Sequence, residues 1–298
     1  MGDLHFFIRL RGMNMAEFSM QDVELMISEQ RKYFFSGATK KIDFRKEQLK
    51  KLKTTISHYE KEIMQALHDD LRKSEFEAYS TEVGLVLDSI SYMQKYLEEW
   101  MHPVAVSTPI HLQPAKSFIV REPYGVTLII GPFNYPFQLV MEPLIGAIIG
   151  GNTAIVKPSE SAPHTTAVIK KIIQETFEEQ YVRIVEGQVE ETTALIHSSF
   201  DFVFFTGSVA VGKIVASACA ERLTPYTLEL GGKSPAIVDQ TANIEVAVKR
   251  IVWGKFTNAG QTCVAPDYVL VHESVKVPFI RHLKKTLQKF YGKDPQKS

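Results

Sequence analysis

Cysteine is nearly absent: the 298 residues hold only Cys219 and Cys263, which argues against a disulfide framework. With nothing resembling an export signal, a reducing cytoplasm is the expected setting. Net charge is absent too, 34 Lys and Arg standing against 34 Asp and Glu. That balance argues against nucleic acid or an anionic membrane as the principal partner. No long hydrophobic run occurs. The longest apolar stretch, residues 139–149, is interrupted by Glu142 and Pro143 and falls short of the roughly 20 residues that cross a bilayer, so no transmembrane helix is expected. The nine histidines show no ligand spacing, and no metal is expected. What is left is an ordinary globular composition, 45% hydrophobic and 23% charged, sufficient for one or two domains.

The first 26 residues are Met-rich without a clear period, and residues 1–27 are set apart as an extension outside the folded unit. Leu49, Leu52, Ile56, Tyr59, Ile63 and Leu67 then recur at steps of three or four, which predicts one amphipathic helix. Val86, Ile90, Met93, Leu97 and Trp100 predict a second, and the two form a helical hairpin against a larger core. His102-Pro103 ends it. Residues 104–120 carry short β-branched runs broken by Pro109 and Pro114, the pattern of a hairpin arm and not of a central strand.

From Val126 the character changes to continuous apolar runs at 126–130, 153–156, 181–185 and 201–205, as in strands buried on both faces. Helical segments at 136–150, 164–177 and 190–198 lie between them. The order predicts an α/β fold: an open, mainly parallel, Rossmann-like sheet with helices on both faces, whose ligands sit at the carboxyl ends of the strands. Polar turns follow three of these strands, and each has two readings. Asn134, in Gly131-Pro132-Phe133-Asn134-Tyr135-Pro136, is either an amide donor for a developing oxyanion or a turn cap. Lys157 and Glu160 either grip ribose hydroxyls or form a solvated pair. The segment from Gly207 to Lys213 nearly matches a phosphate-binding loop, but Ile214 lacks the hydroxyl that would ligand magnesium, which argues against nucleotide hydrolysis. A Gly207-Ser208 turn feeding a helix over 211–221 still offers backbone N–H groups to a pyrophosphate. Cys219, inside that helix among alanines, reads as packing.

Glu229 lies between Leu228 and Leu230, before Gly231-Gly232. Apolar flanks are expected to hold its proton above the ordinary carboxylate range, as suits a general base; the other reading is a capping or salt-bridged glutamate. The two glycines admit close approach of another group. Cys263, in Gly260-Gln261-Thr262-Cys263, sits among turn-forming residues and is either an accessible nucleophile or a buried structural cysteine.

Taken together in this order, Gly-Pro-Phe-Asn-Tyr-Pro, Lys-Pro-Ser-Glu, Phe-Thr-Gly-Ser, Glu-Leu-Gly-Gly-Lys-Ser-Pro and Gly-Gln-Thr-Cys closely resemble the aldehyde dehydrogenase superfamily, from about Ser28 onward. Cys263-Val264-Ala265-Pro266-Asp267-Tyr268 is most similar to the class 3 branch, with its fatty and aromatic aldehyde dehydrogenases. The resemblance implies Cys263 as nucleophile, Glu229 as general base, and Asn134 with the Cys263 backbone N–H as oxyanion hole. It implies Lys157 and Glu160 at the adenine ribose and Gly207 and Ser208 near the pyrophosphate, and counts Phe133, Leu230 and Gly231 among the cofactor-binding residues. NAD is the expected cofactor, with NADP the alternative; an aldehyde is the expected substrate and a homodimer the expected full-length assembly.

Residues 28–229 are thus expected to hold the helical hairpin, arm and NAD(P)-binding domain, and 230–298 the first part of a catalytic α/β domain. The family's Glu-x-Phe-Gly-Pro motif, which clamps the nicotinamide ribose, does not occur, and the chain is expected to lack the rest of that domain. Two expectations follow: the amino-terminal portion of a working dehydrogenase, or a truncated product that binds cofactor or a partner without catalysis.

Overall fold

The computed structural model describes residues 18–294, which divide into two compact units at Glu229 and Leu230. The first unit is built on a five-stranded sheet in the order β5-β4-β3-β6-β7, with β3 at Val126–Ile130, β4 at Thr153–Lys157, β5 at Val182–Ile184, β6 at Phe202–Gly207 and β7 at Tyr226–Leu230. β3 runs parallel to β4 and β6, and β4 parallel to β5. Every residue of β3 and β4 is buried, so both faces of the central sheet are covered, as continuous apolar runs require.

Helices α1 (Met20–Phe35), α2 (Ile42–His58), α3 (Glu60–Leu71) and α4 (Gly84–Met101) precede the sheet; α5 (Gln138–Gly150), α6 (Pro163–Thr176), α7 (Val189–Ile196) and α8 (Val209–Arg222) connect its strands. Leu49, Leu52, Ile63, Leu67, Val86 and Ile90 join one apolar core with Ile145 of α5 and Ile169 of α6. Helix ends are tied by side chains from elsewhere in the chain. Asp70 accepts from the Thr165 amide at 2.8 Å and the Thr165 hydroxyl at 2.7 Å, capping α6. The buried Arg45 donates to the Ile149 carbonyl at 2.9 Å, satisfying the end of α5.

Three sequence expectations change. The stripe from Leu49 to Leu67 does not form one helix: the backbone breaks at Tyr59 (ψ 8°) between α2 and α3, and the Tyr59 hydroxyl donates to Glu175 at 2.7 Å. The apolar period survives because only one residue leaves the helix. The folded unit also reaches back into the supposed extension. α1 starts at Met20 under a Ser19 capping box and fully buries Val23 and Ile27, whose spacing is too short to stand out in a Met-rich stretch; residues 1–17 lie outside the described residues. Finally, Tyr226–Leu230 is a strand, β7, so Glu229 stands on a sheet and not at a helix cap.

Residues 104–119 form the expected arm, an antiparallel pair of β1 (Val104–Val106) and β2 (Ser117–Ile119). The second unit pairs β8 (Ser234–Val238) in parallel with β9 (Pro266–Val271). Against them lie α9 (Ile244–Phe256) and α10 (Glu273–Tyr291), around a small core of Val238, Val248, Val252 and Phe279. Among the described residues no helix is long and apolar enough to cross a membrane.

Candidate active site

In the first unit the parallel strands place three turns on one rim. The turn after β3 begins at Gly131, whose amide donates to the Lys157 carbonyl at 3.0 Å. A Cβ there would lie 2.2 Å from Val140 Cγ2 on α5, so only glycine lets the chain pass this close. Beyond it Phe133 is exposed, and Asn134 and Tyr135 are half-buried. The turn rests on a buried ion pair of Lys73 and Glu82.

Lys157 ends β4 with its side chain 4% exposed, and its ammonium donates to Glu160 at 2.6 Å while the Glu160 side chain stays 48% exposed. This is neither a solvated pair nor two free groups: a buried cation holds a half-exposed carboxylate at the rim. Burial acts to raise the Glu160 carboxyl, but the Lys157 hydrogen bond, a backbone hydrogen bond and the Lys157 charge outweigh it and leave the group below its ordinary value. After β6, Ser208 caps α8 by accepting from the Val211 amide at 3.3 Å. α8 starts two residues earlier than expected, which brings its N-terminal dipole directly to the Gly207-Ser208 turn. Thr206, the penultimate residue of β6, has its hydroxyl buried without a hydrogen-bond partner among the described residues. Within Phe-Thr-Gly-Ser nothing in the sequence sets Thr206 apart; its hydroxyl stands out only once burial is known.

Glu229 is exposed on β7. Its leucine neighbours do not enclose it, because successive strand residues point to opposite faces. The apolar enclosure expected from Leu228 and Leu230 is therefore not what their adjacency provides. Leu230 ends β7 and Gly231 follows it.

In the second unit the segment before β9 is built from unusual backbone. Asn258 (φ 53°), Ala259 (φ 53°) and Gly260 (φ 82°) are successively left-handed, a conformation that costs about 1–2 kcal/mol for a residue with a Cβ. Gly260 marks this turn in the sequence, but nothing there marks Ala259. Cys263 follows in a β-turn closed by the Ala265 amide donating to the Thr262 carbonyl at 3.0 Å, and the residue is exposed. The Cys263 carbonyl would lie 2.8 Å from a Cβ on Gly232, so this glycine admits close backbone approach by the cysteine segment itself, whereas a Cβ on Gly231 would meet nothing within 4 Å.

Cys219 is 2% exposed within α8, and burial pushes its thiol up. Brief iodoacetamide treatment of the native protein followed by mass mapping is therefore expected to label Cys263 well ahead of Cys219. Preferential modification of Cys219 would contradict the exposure of the two thiols.

A half-sheet of doubly wound type, with a capped helix and a cation–carboxylate pair on its rim, is joined in one chain to a thiol displayed on a turn. These features describe an α/β protein of the doubly wound type, the architecture in which ligands sit at the carboxyl ends of the strands, with an exposed thiol in its second unit. The chain belongs to the aldehyde dehydrogenase family, whose sequence profile matches residues 12–298. It is 58% identical over 279 residues to 4,4'-diaponeurosporen-aldehyde dehydrogenase of Staphylococcus aureus, covering 94% of this chain and 61% of that protein. It is 43% identical to the dimeric, NADP-preferring aldehyde dehydrogenase of Mus musculus, covering 94% of this chain and 62% of that protein. The substrate-bound state of Staphylococcus aureus AldH superposes with a TM-score of 0.91 at 58% identity, over 93% of this chain and 60% of that one. The chain thus spans about three fifths of the length of these relatives.

Proposed function

We propose that this chain carries the cofactor-binding fold and the nucleophile of an enzyme that oxidises an aldehyde, aliphatic of medium or long chain or aromatic, to the carboxylic acid with NAD(P)+. The observation that carries the reading is the exposed Cys263 on its β-turn, in a chain whose first unit has the nucleotide-binding rim. Cys263 as thiolate adds to the carbonyl carbon, and the carbonyl oxygen gathers the negative charge. The Asn134 amide and the Cys263 backbone N–H donate to that oxygen without changing its proton count. A bound nicotinamide cofactor supplies the hydride acceptor that takes the thiohemiacetal to the thioester. Glu229 removes a proton from the water that attacks the thioester, releasing the acid and restoring the thiolate.

The rim fits such a cofactor. The half-exposed carboxylate of Glu160, steadied by Lys157, suits the two hydroxyls of the adenine ribose. The Ser208-capped start of α8 and the Gly207 turn suit the pyrophosphate, and the buried Thr206 hydroxyl is a polar group awaiting a partner there. Phe133, Leu230 and Gly231 complete the cofactor contacts. Glu160 is held anionic and Lys157 is already paired with it, so a 2′-phosphate meets a negative charge whose neighbouring lysine is engaged; this favours NAD, with NADP the competing outcome that the mouse relative's preference makes worth measuring. A homodimer in the cytoplasm is part of the same reading.

The test is to express the full reading frame that holds this chain and to follow NADH formation and acid product with hexanal and benzaldehyde. Stoichiometric acid and NADH are expected, with NAD preferred over NADP. Cofactor binding without acid from any aldehyde would overturn the catalytic reading and leave a binding protein.

A further inference from the structure

The turn that carries Asn134 is underpinned by charges that none of the features above explain. Lys73 and Glu82 have side chains 1% and 0% exposed, and their charged atoms meet at 2.5 Å. Desolvating both ions is costly, and as a stabilising device an apolar pair would serve as well or better. Among the described residues, their other polar contacts run to one turn. The second oxygen of Glu82 accepts from the backbone N–H groups of Phe137, the N-cap of α5, at 2.9 Å and of Gln138, its first residue, at 3.1 Å. The ammonium of Lys73 donates to the Asn134 carbonyl at 3.4 Å and stands 4.2 Å from the centroid of the Tyr135 ring.

Glu82 lies in a π-helical turn, Tyr79–Val83, between a short helix and α4. The turn is tight: a Cβ on Gly84 would come within 3.0 Å of the Tyr79 carbonyl. Single π-turns inside helices are rare and concentrate at functional sites, where they re-aim one side chain. Here the side chain re-aimed is the carboxylate that reaches the start of α5. Burial pushes the Glu82 carboxyl up, against the pull of Lys73 and of the two backbone N–H groups. In sequence the segment between Lys73 and Glu82 carries no pattern that would pair the two charges.

We propose that Lys73 and Glu82 are positioning residues for aldehyde oxidation: together they clamp the turn from Asn134 to Gln138, one at its entry carbonyl and one at its exit amides, and so set where the Asn134 amide is presented. The inference rests on the reading of Asn134 as an oxyanion donor. Deleting such a donor costs about 10²–10³ in rate, and letting it drift loses part of that.

The experiment is a set of double-mutant cycles in the full reading frame, with E82Q, K73M and N134A, each checked by thermal melting. E82Q turns an amide donor toward either Lys73 or the two backbone donors. K73M keeps both backbone bonds to Glu82 and removes only the cation, so it remains informative should E82Q not fold. Each is expected to lower kcat about 10- to 100-fold while the KM for NAD stays within about twofold, because Lys157, Glu160, Gly207 and Ser208 lie on other turns and Phe133, on this one, precedes the clamped segment. In the N134A background the same substitutions are expected to cost less than about twofold more, since a group acting through Asn134 has nothing left to position.

Full multiplicative losses with N134A, or unchanged kcat in both single variants, would overturn the proposal and leave a structural ion pair. Should N134A itself leave the rate intact, the oxyanion reading fails instead. Amide exchange in the 298-residue protein then decides the clamp: E82Q is expected to speed exchange at Phe137 and Gln138 about tenfold or more, and unchanged exchange would refute it.

Discussion

Replacing Cys263 by alanine is expected to abolish aldehyde oxidation, lowering kcat/KM by at least about a thousandfold, while melting temperature and NAD affinity stay unchanged. Without the sulfur no tetrahedral adduct forms on the protein, and the hydrated aldehyde has to lose hydride unaided. Cys263 is exposed, so removing its thiol leaves no cavity of the kind that destabilises a core. The side chains proposed to hold the cofactor's adenosine and pyrophosphate belong to the first unit, whereas Cys263 belongs to the second. Cofactor titration and rate therefore separate cleanly. Steady-state rates with hexanal, alongside NAD titration followed by protein fluorescence, make the measurement. Turnover within tenfold of the unmodified enzyme would remove Cys263 from the reaction, whatever the labelling experiment shows.

Glu229→Gln is expected to split the reaction in two. The glutamine is nearly isosteric and Glu229 is exposed on β7, so the fold has little reason to change. A base that serves only the hydrolytic water leaves thiohemiacetal formation and hydride loss intact, and a pre-steady-state burst of NADH close to one equivalent per site should survive. The following steady rate is expected to fall by about 10²–10³, with thioester accumulating on Cys263 where mass spectrometry detects it. Disappearance of the burst, in protein that still binds NAD, would place Glu229 before hydride loss, for instance as the base that deprotonates the thiol.

Much of this protein was legible in sequence because its information is local. The continuous apolar runs of β3 and β4, the turns that follow them and the Gly-rich approach to Cys263 each mark themselves within a few residues, and the order β-α-β-α-β-α-β follows from their alternation. The joint occurrence of five short motifs then marked the family, although each alone had an ordinary structural reading.

Other features depend on which side chains meet, and spacing does not encode that. Burial decided that Lys157 is a sequestered cation under Glu160 and that the Thr206 hydroxyl is buried without a hydrogen-bond partner among the described residues, because solvent access is set by residues far away in the chain. Strand geometry decided that the leucines beside Glu229 do not enclose it, since neighbours on a strand face opposite ways. Tyr59 broke a helix whose apolar period runs on undisturbed, and Ala259 took a left-handed backbone that its composition disfavours. The Lys73–Glu82 pair is the clearest case. Two charged residues nine apart look like solvated surface in the sequence, and only the tertiary fold, by closing α5 and the π-turn over them, removed the water and aimed both charges at one turn.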